Sequence, residues 1–329
     1  MGSDDSKPDR KVSRRSFIKT GTAITASSLL GGTVLLDLVQ AQTGEKPEEK
    51  PAKSKVADLC AVTGTSYFDN TIRAVDGLGG ISRFVPKDSR VALLANVVWK
   101  HPGANVRPEV ILAAIKMCRD AGAAEVRSLQ SFSGGYWRNC PMAEKYQKDI
   151  DAVKTGGGDF TTVDLPKGKN VKQAGVMQEL LDCDVLINLA ITKNHAGCIL
   201  SGVLKNMMGG CAHKPTNQFC HYGHNPDAEE WYEDVEWLNQ CIADLNFIRT
   251  PDLCINDATE FLTTGGPYGP GKIGRRDTIV AGTDPVALDA YCVRFHDLKI
   301  EDISILKYAH QHGLGEIDLA KLNISEITA

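Results

Sequence analysis

Short apolar runs alternate with amphipathic stretches along residues 57–312. The runs at 90–98 (RVALLANVV) and 184–190 (DVLINLA) are apolar at consecutive positions, which is typical of strands buried on both faces of a sheet. After the first run, residues 107–121 carry apolar side chains at three- and four-residue steps behind Pro108, which predicts a helix. Strand, helix and strand in this order indicate an α/β fold with a mainly parallel sheet and flanking helices.

The same patterns predict further elements on either side. Further strands are predicted at 57–63, 125–129, 160–165, 253–256 and 278–281. Further helices are predicted at 68–78, 176–181, 229–248, 285–295 and 302–312, with Thr283 or Asp284 as the cap of the fourth. A change of pattern near 165–185 predicts that the α/β region at 56–329 is divided into two lobes.

The first 55 residues do not follow this alternation. Residues 13–19 (SRRSFIK) precede an apolar stretch at 21–39, which is typical of a twin-arginine export signal ending at residue 41. The Glu-, Lys- and Pro-rich segment 42–55 is expected to be a disordered linker. We therefore predict a periplasmic or extracellular protein whose partner during export is the twin-arginine translocase. Because this route carries folded proteins, it also favours a cofactor inserted before export.

Composition narrows the classes of function. The chain has 329 residues, of which 42% are hydrophobic, and a net charge of −4. This length allows a sizeable core, and the absence of a basic excess argues against a nucleic-acid partner. No apolar run beyond residue 45 reaches the length of a stable membrane span. The ten cysteines form no C-x-x-C or ferredoxin-type run, so most are expected to be small buried side chains.

The segment that follows the strand at 184–190 is the first candidate site. In open parallel sheets, ligands bind beyond the carboxyl ends of the strands. This segment holds Lys193, His195 and Lys205, on a strand-to-helix loop and the helix that it opens. Helix N-termini attract anions, so two lysines and an imidazole there favour a carboxylate or phosphate ligand. The alternative is a pair of solvated lysines with a capping histidine.

Two loops supply further candidate groups. The loop 211–225 contains three histidines and two cysteines, which are plausible metal ligands without zinc-finger spacing. The alternative is a polar surface loop. The glycine-rich stretch 265–271 lets the backbone approach a ligand, although it lacks the spacing of a nucleotide-binding loop. The alternative there is a hairpin-like loop.

Several of these residues occur in an order that resembles a known family, the domain of unknown function 362. The resemblance extends over roughly 56–312 and is carried by DVLIN at 184–188, KNH at 193–195, Gly202 with Lys205-Asn206, ADLN at 243–246 and AGTDPVALDA at 281–290. Where that family usually has Lys-Pro-Asn after its early strand, this chain has Leu94-Ala95-Asn96. The cation expected beside Asn96 is therefore missing. We predict Asn96 itself as a substrate contact.

A more distant likeness is to the nickel-pincer lactate racemases. That resemblance implies that Lys205 attaches the cofactor, with Ser201 and Gly202 beside it. It also implies that His221 binds the metal and that His195 is one acid or base. A racemase needs an acid or base on each face of the substrate carbon, and residues 131–136 (SFSGGY) hold no second histidine.

The remaining site residues follow from this likeness for Arg107 and from the composition of the candidate loops for the others. Arg107 would match the substrate-binding arginine of the racemases, and Lys193 joins His195 as a predicted catalytic residue. His213 and Cys220 are predicted to join His221 around a metal. Tyr136 or His101 would have to replace the missing histidine.

We therefore predict an exported protein that depends on a metal or organometallic cofactor, nickel-pincer-like by resemblance. As an enzyme of the isomerase or oxidoreductase type, it would move a proton or a hydride on a small anion that resembles a hydroxy acid. One alternative is an iron–sulfur electron-transfer protein that uses Cys198, Cys211 and Cys220. The other is a periplasmic module that binds an anion without turnover. The leading hypothesis requires that Lys205 and His221 face one cavity.

Overall fold

The computed structural model describes residues 56–99, 101–133, 135–222 and 234–329, which belong to one compact unit. The predicted signal peptide and linker, and His224, lie outside these residues. The strands are β1 (Leu59–Thr63), β2 (Arg90–Ala95), β3 (Glu125–Ser128), β4 (Lys154–Thr155), β5 (Phe160–Asp164), β6 (Gln173–Met177), β7 (Val185–Ile191), β8 (Lys193–His195), β9 (Ile199–Ser201), β10 (Leu253–Leu262), β11 (Ile273–Gly282) and β12 (Ile324–Thr328). The α-helices are α1 (Tyr67–Gly77), α2 (Pro108–Asp120), α3 (Gln147–Asp151), α4 (Gln178–Asp182), α5 (Val203–Asn206), α6 (Gln218–Tyr222), α7 (Val235–Leu245), α8 (Pro285–Val293) and α9 (Ser304–Gln311).

In the described part of the chain, eight strands form one sheet in the order β12-β1-β11-β10-β7-β2-β3-β4. β11 runs antiparallel to β1 and β10, and the other neighbouring pairs are parallel. The mainly parallel sheet with flanking helices is thereby confirmed. From β2 the chain continues through α2 to β3 on one side, whereas from β7 it continues to β10 on the other side. The sheet therefore has a topological switch point between β2 and β7, which is where such sheets bind ligands.

Apolar side chains cover both faces of the central strands. Leu93 and Ile187 belong to the core beneath α1 and α2, whereas Leu94 and Leu186 belong to the core beneath α5, α7 and α9. All seven residues of β7 are buried. The strand is apolar at consecutive positions because successive side chains enter two different cores.

Four predicted elements differ from the observed ones. The strand predicted at 160–165 forms as β5, but it pairs with β6 in a separate antiparallel hairpin. Val176, which was predicted to be helical, lies in β6, and α4 begins at Gln178. The strands predicted at 253–256 and 278–281 continue as the long hairpin of β10 and β11. Beyond Asp257, β10 pairs only with β11, so the apolar pattern ends before the strand does.

Local signals were more reliable at helix α8 and at the glycine-rich stretch. The Asp284 carboxylate accepts the N–H groups of Val286 and Ala287, each at 2.9 Å, which confirms it as the helix cap. The glycine-rich stretch 265–271 connects β10 to β11 as a hairpin loop. None of the helices in the described ranges combines the length and the apolar character needed to cross a membrane.

Candidate functional site

A cavity of about 760 Å³ opens at the carboxyl ends of the central strands. Ala95 ends β2, Gln130 follows β3, and His195 follows β7 on the short strand β8; all three line the cavity. This is the switch point of the sheet, so the cavity lies where the topology places a ligand site.

The cavity brings together six of the ten site residues predicted from the sequence. The six that line it are Asn96, His195, Ser201, Lys205, His213 and His221. The four that are not among its described lining residues are Lys193, Gly202, Arg107 and Cys220. Lys205 and His221 therefore share one cavity, as the leading hypothesis requires. The chemical roles assigned to these residues stay predictions.

Lys205 is held in place through the N-terminus of its short helix, α5. The Asp289 carboxylate accepts the N–H groups of Val203 at 2.8 Å and Leu204 at 2.9 Å. A Cβ on Gly202 would lie 2.1 Å from an oxygen of Asp289, so only glycine admits this carboxylate. The helix N-terminus therefore holds a side chain of the protein and not the predicted anionic ligand. Gly202 acts by making room for Asp289 and does not line the cavity.

Lys205 itself is partly exposed in the cavity. Burial among the surrounding protein lowers the pKa of its amine from the usual value. A lysine with a lowered pKa can act as a nucleophile or bind an anion, depending on its proton.

His195 stands at the end of β8, in a hairpin with β9 that pairs Lys193 with Ser201. Its Nδ1 accepts the N–H of Gly197 at 3.1 Å, so the neutral ring carries its proton on Nε2. Burial and the nearby positive charge of Lys205 hold the pKa of His195 well below its usual range. The hairpin contains Ile199 at a φ of 65°, a strained conformation for a β-branched residue.

His221 has the opposite arrangement of ring nitrogens. Its Nδ1 lies 2.7 Å from the carbonyl oxygen of Asn217, which fixes the proton on Nδ1 and leaves Nε2 as the basic nitrogen. Burial and the charge of Lys205 lower the pKa of His221 to about 4. A histidine bound through Nδ1–H to a main-chain carbonyl is the common form of a metal ligand.

Lys193 lies behind the cavity wall, where it is 1% exposed. Its Nζ donates to the main-chain oxygen of Ala104 and to Oδ1 of Asn96, the latter at 3.2 Å. The Asn96 amide donates in turn to Oδ1 of Asn206 at 3.3 Å. One donor and one acceptor of the Asn96 amide are therefore used within the protein, and its role as a substrate contact stays a prediction. Burial, with the charge of Lys205, lowers the pKa of Lys193 to about 7.

Arg107 does not face the cavity. Its guanidinium forms an ion pair with Glu260 at 2.8 Å and lies 4.6 Å from the ring centre of Tyr67. Its main-chain N–H donates to the buried carboxylate of Asp257 at 2.7 Å. The prediction of a substrate-binding arginine is therefore corrected: Arg107 fastens the start of α2 to β10.

The predicted metal-binding set does not assemble either. Cys220 is fully buried in the core that also contains Cys241, whereas His221, the next residue, lines the cavity. Successive helical residues point about 100° apart, so α6 sends the two side chains in different directions. The described residues contain no group of three or more His, Cys, Asp or Glu side chains that could hold a metal. All ten cysteines are free thiols, nine of them buried.

Neither proposed substitute for a second acid or base is suitably placed. Tyr136 donates its hydroxyl to the carbonyl oxygen of Val106 at 2.7 Å in a buried position. His101 packs against Gly269 and is not among the described residues that line the cavity. The racemase arrangement with an acid or base on two faces is thus not reproduced by these residues.

Sequence reasoning missed several residues of the cavity wall. Gln130 follows β3, so the rule on strand ends was enough to find it. Trp99 and Tyr268 come from two separate loops, and their ring centres are 5.5 Å apart. Tyr268 lies in the glycine-rich stretch that the sequence analysis names as a candidate, although its ring was not recognised as part of the wall. Trp99 had no signal beyond following a strand. The described lining includes two lysines and three histidines but no aspartate or glutamate, so the cavity favours anions.

The DUF362 family, described as a domain of unknown function, matches residues 91–294. The chain belongs to the DUF362 family. All described residues that line the cavity fall within this match. The thylakoid-associated protein sll1697 of Synechocystis sp. is 27% identical to this chain over 250 residues, which cover 73% of each protein.

Two solved structures are similar to this member of the DUF362 family at low TM-scores. The lactate racemase apoprotein of Thermoanaerobacterium thermosaccharolyticum is 12% identical, with a TM-score of 0.32 over 60% of this chain and 50% of the racemase chain. A protein of Thermotoga maritima is 13% identical, with a TM-score of 0.39 over 76% of this chain and 60% of that chain. Assignment of the site therefore depends on the geometry described above.

Proposed function

We propose that this protein is a cofactor-dependent enzyme that moves a proton or a hydride on a small anionic substrate. The observation that carries the proposal is that Lys205, His195 and His221 line one cavity whose described wall contains no carboxylate. A positive site without acidic side chains attracts a carboxylate or phosphate group. In a hydroxy acid, the carboxylate would pair with the positive side chains and the hydroxyl would form a hydrogen bond beside them.

His195 is the residue that would handle the proton. Because its pKa is low, the ring is neutral near pH 7 and presents Nε2–H. A neutral imidazole with this tautomer donates a hydrogen bond to a substrate oxygen and stabilises negative charge that develops there. To accept a proton from that oxygen, the ring would first have to carry its own proton on Nδ1, which breaks the contact with Gly197. Since neither Tyr136 nor His101 provides a second group, we propose transfer on one face of the substrate and not racemisation.

The cofactor is the finer part of the proposal. A bound metal cofactor is supported by His221, because its hydrogen bond to Asn217 leaves Nε2 as the basic nitrogen that could bind a metal. Because no three metal-ligating side chains meet within the described residues, a metal here would take its other ligands from an organic group. Lys205 would attach or bind that group, in the manner of a nickel-pincer cofactor. When bound, such a group supplies an acceptor for the electrons that leave the substrate.

An anion-binding module without turnover is the second candidate. It is favoured by the same carboxylate-free wall, which by itself explains binding but requires no chemistry. The iron–sulfur alternative has less support, because Cys198, Cys211 and Cys220 do not meet as a metal-binding group within the described chain. Burial raises the pKa of Cys198 to about 12, which disfavours the thiolate that a cluster needs.

The experiment starts from protein purified from its native host. We expect stoichiometric metal by elemental analysis and a visible chromophore. If a proton is moved, the hydrogen on the α-carbon of a 2-hydroxy acid should exchange in deuterated water; if a hydride is moved, the acid should change the spectrum of the chromophore without exchange. Saturable binding without exchange or chromophore would favour the anion-binding module. Absence of any saturable anion binding would overturn both.

We also propose that residues 1–41 direct export through the twin-arginine translocase to the periplasm or beyond. The support is the SRRSFIK motif, with Arg14 and Arg15. Cell fractionation checks it: replacing both arginines by lysine should retain the protein in the cytoplasm, and an unchanged distribution would contradict the proposal.

A further inference from the structure

We infer that the cavity selects anions that carry a flat, π-bonded ring, and that Trp99 and Tyr268 hold this ring. The inference rests on the proposed function, because it names the substrate class of the same cavity. It therefore predicts a preference for aromatic hydroxy acids over short-chain hydroxy acids such as lactate.

The size of the cavity is the first argument. At about 760 Å³ it lies in the range of sites that hold drug-sized ligands. A three-carbon hydroxy acid would fill only a small part of this volume, which the proposed cofactor would share. The size of the cavity therefore allows a larger group on the acid, and the lining indicates its kind.

The two aromatic rings show what kind of group the wall is suited to. The rings of Trp99 and Tyr268 lie 5.5 Å apart between centres at an angle of 46°, and both line the cavity. Tyr268 is 49% exposed, so part of its ring surface is left for a ligand. Aromatic rings prefer such tilted or offset contacts, and a third ring placed against the pair would bury apolar surface in the same geometry.

The main chain that carries each ring is held by contacts outside the cavity. The side chain of Asn105 accepts the main-chain N–H of Trp99 at 2.8 Å and donates to the main-chain oxygen of Trp99. On the loop of Tyr268, the N–H of Gly266 donates to Oδ1 of Asn194 at 3.0 Å. Asn194 precedes His195 on β8, so the aromatic wall is fastened to the strand that carries the proposed proton-transfer group.

The positive side chains of the wall indicate which group the other end of the ligand carries. Lys205 and Lys214 line the cavity together with His195, and the described wall has no acidic side chain to balance them. A neutral aromatic compound would leave these cations unpaired, and a small anion would leave the aromatic wall empty. A ring joined to a carboxylate satisfies both parts of the wall.

The test compares three probes on the purified full chain: lactate, 3-phenyllactate and 3-cyclohexyllactate, which has the bulk of a ring without its π-electrons. Isothermal titration calorimetry at pH 7 should show phenyllactate binding about tenfold more tightly than lactate, with cyclohexyllactate between them. W99A and Y268A should each lower the ratio of phenyllactate to lactate affinity toward one. Y308A, which removes an aromatic side chain outside the described cavity lining, should leave this ratio unchanged.

The outcomes separate this inference from the proposed function. Equal affinities for lactate and phenyllactate, or a ratio unchanged in both W99A and Y268A, would overturn the inference while leaving an anion site. Failure of all three probes to bind would overturn the proposed function. Should W99A fail to fold, as judged by circular dichroism, W99F should fold and retain the preference, and Y268A then decides.

Discussion

Two groups of basic side chains in this molecule differ in how their charges are balanced. Near α1 and α2, Arg107 pairs with Glu260 and Arg275 pairs with Asp277, each at 2.8 Å. At the cavity, no carboxylate in the described wall balances Lys205, and Lys193 behind it donates only to an amide and a main-chain oxygen.

The difference separates structural cations from cations available to a ligand. An ion pair at the edge of a sheet fastens elements together, as Arg107 fastens α2 to β10. A buried cation without a counter-charge costs free energy of folding, because the protein replaces water poorly. A buried cation of this kind is expected where it serves a function, and an anionic ligand would supply its missing counter-charge. The predictions below test whether the two groups differ in this way.

The largest expected effect is the loss of anion binding in Lys205→Met. Removing this charge should weaken binding of a hydroxy acid about 100-fold, which is the scale of truncating one partner of a buried charge pair. Methionine keeps the length and apolar stem of the side chain, so the fold should survive. Calorimetric titration with phenyllactate measures the effect.

Arg107→Met is the matched control for that variant. It should leave the affinity unchanged, but it should lower the free energy of unfolding by about 1–3 kcal/mol, because Glu260 and Glu109 lose a partner. A loss of affinity in R107M comparable to that in K205M would contradict the comparison and restore Arg107 as a substrate contact.

The second prediction concerns the support of Lys205. In Gly202→Ala the new Cβ would lie 2.1 Å from the Asp289 carboxylate, so α5 must shift. We expect the free energy of unfolding to fall by about 1–3 kcal/mol, the cost of an overpacked site. We also expect weaker anion binding, because Lys205 lies on the helix that moves. Urea unfolding and calorimetry measure the two effects.

Gly135→Ala provides the control for that substitution. Apart from Gly135 and its chain neighbours, no atom of the described residues lies within 4 Å of a Cβ built at Gly135, and its φ of −110° suits an ordinary residue. G135A should therefore change stability by less than about 0.5 kcal/mol. If G202A proved equally neutral, the carboxylate of Asp289 would not be fixing α5.

The central strands and three cavity residues could be predicted from the sequence because their signals are local. β2 and β7 are apolar at consecutive positions, and the rule on strand ends leads from β7 to His195 and Lys205. The likeness to the nickel-pincer lactate racemases, together with the histidine-rich loop 211–225, added His221, which also lines the cavity.

The errors have a common physical cause, which is dependence on distant residues. Arg107 looks like a free cation in the sequence because its partner Glu260 is 153 residues away. Gly202 looks like a ligand-binding glycine because Asp289, which requires it, lies on another helix. For Cys220, the direction of the side chain depends on the phase of a short helix, which loop composition does not reveal.

The smallest expected effect is a dependence of stability on pH that arises from Lys193. Burial lowers its pKa to about 7 in the folded protein, whereas an unfolded lysine keeps its proton to about pH 10.4. Between these values the unfolded chain binds more protons, so folding becomes more favourable as pH rises. Between pH 7 and 8.5, the wild type should gain about 2 kcal/mol of unfolding free energy relative to Lys193→Met.

Asn96→Asp also tests the lowered pKa of Lys193, by changing the residue that accepts its hydrogen bond. Oδ1 of Asn96 accepts from Nζ of Lys193 at 3.2 Å, so a carboxylate there would supply the missing counter-charge and raise the pKa of the lysine. N96D should therefore lose the same pH-dependent gain that K193M loses, although one variant adds a charge and the other removes one. Urea unfolding at both pH values measures this. An unchanged slope in both variants would mean that Lys193 carries its proton throughout, and that a cation without a carboxylate partner is no sign of a ligand site in this molecule.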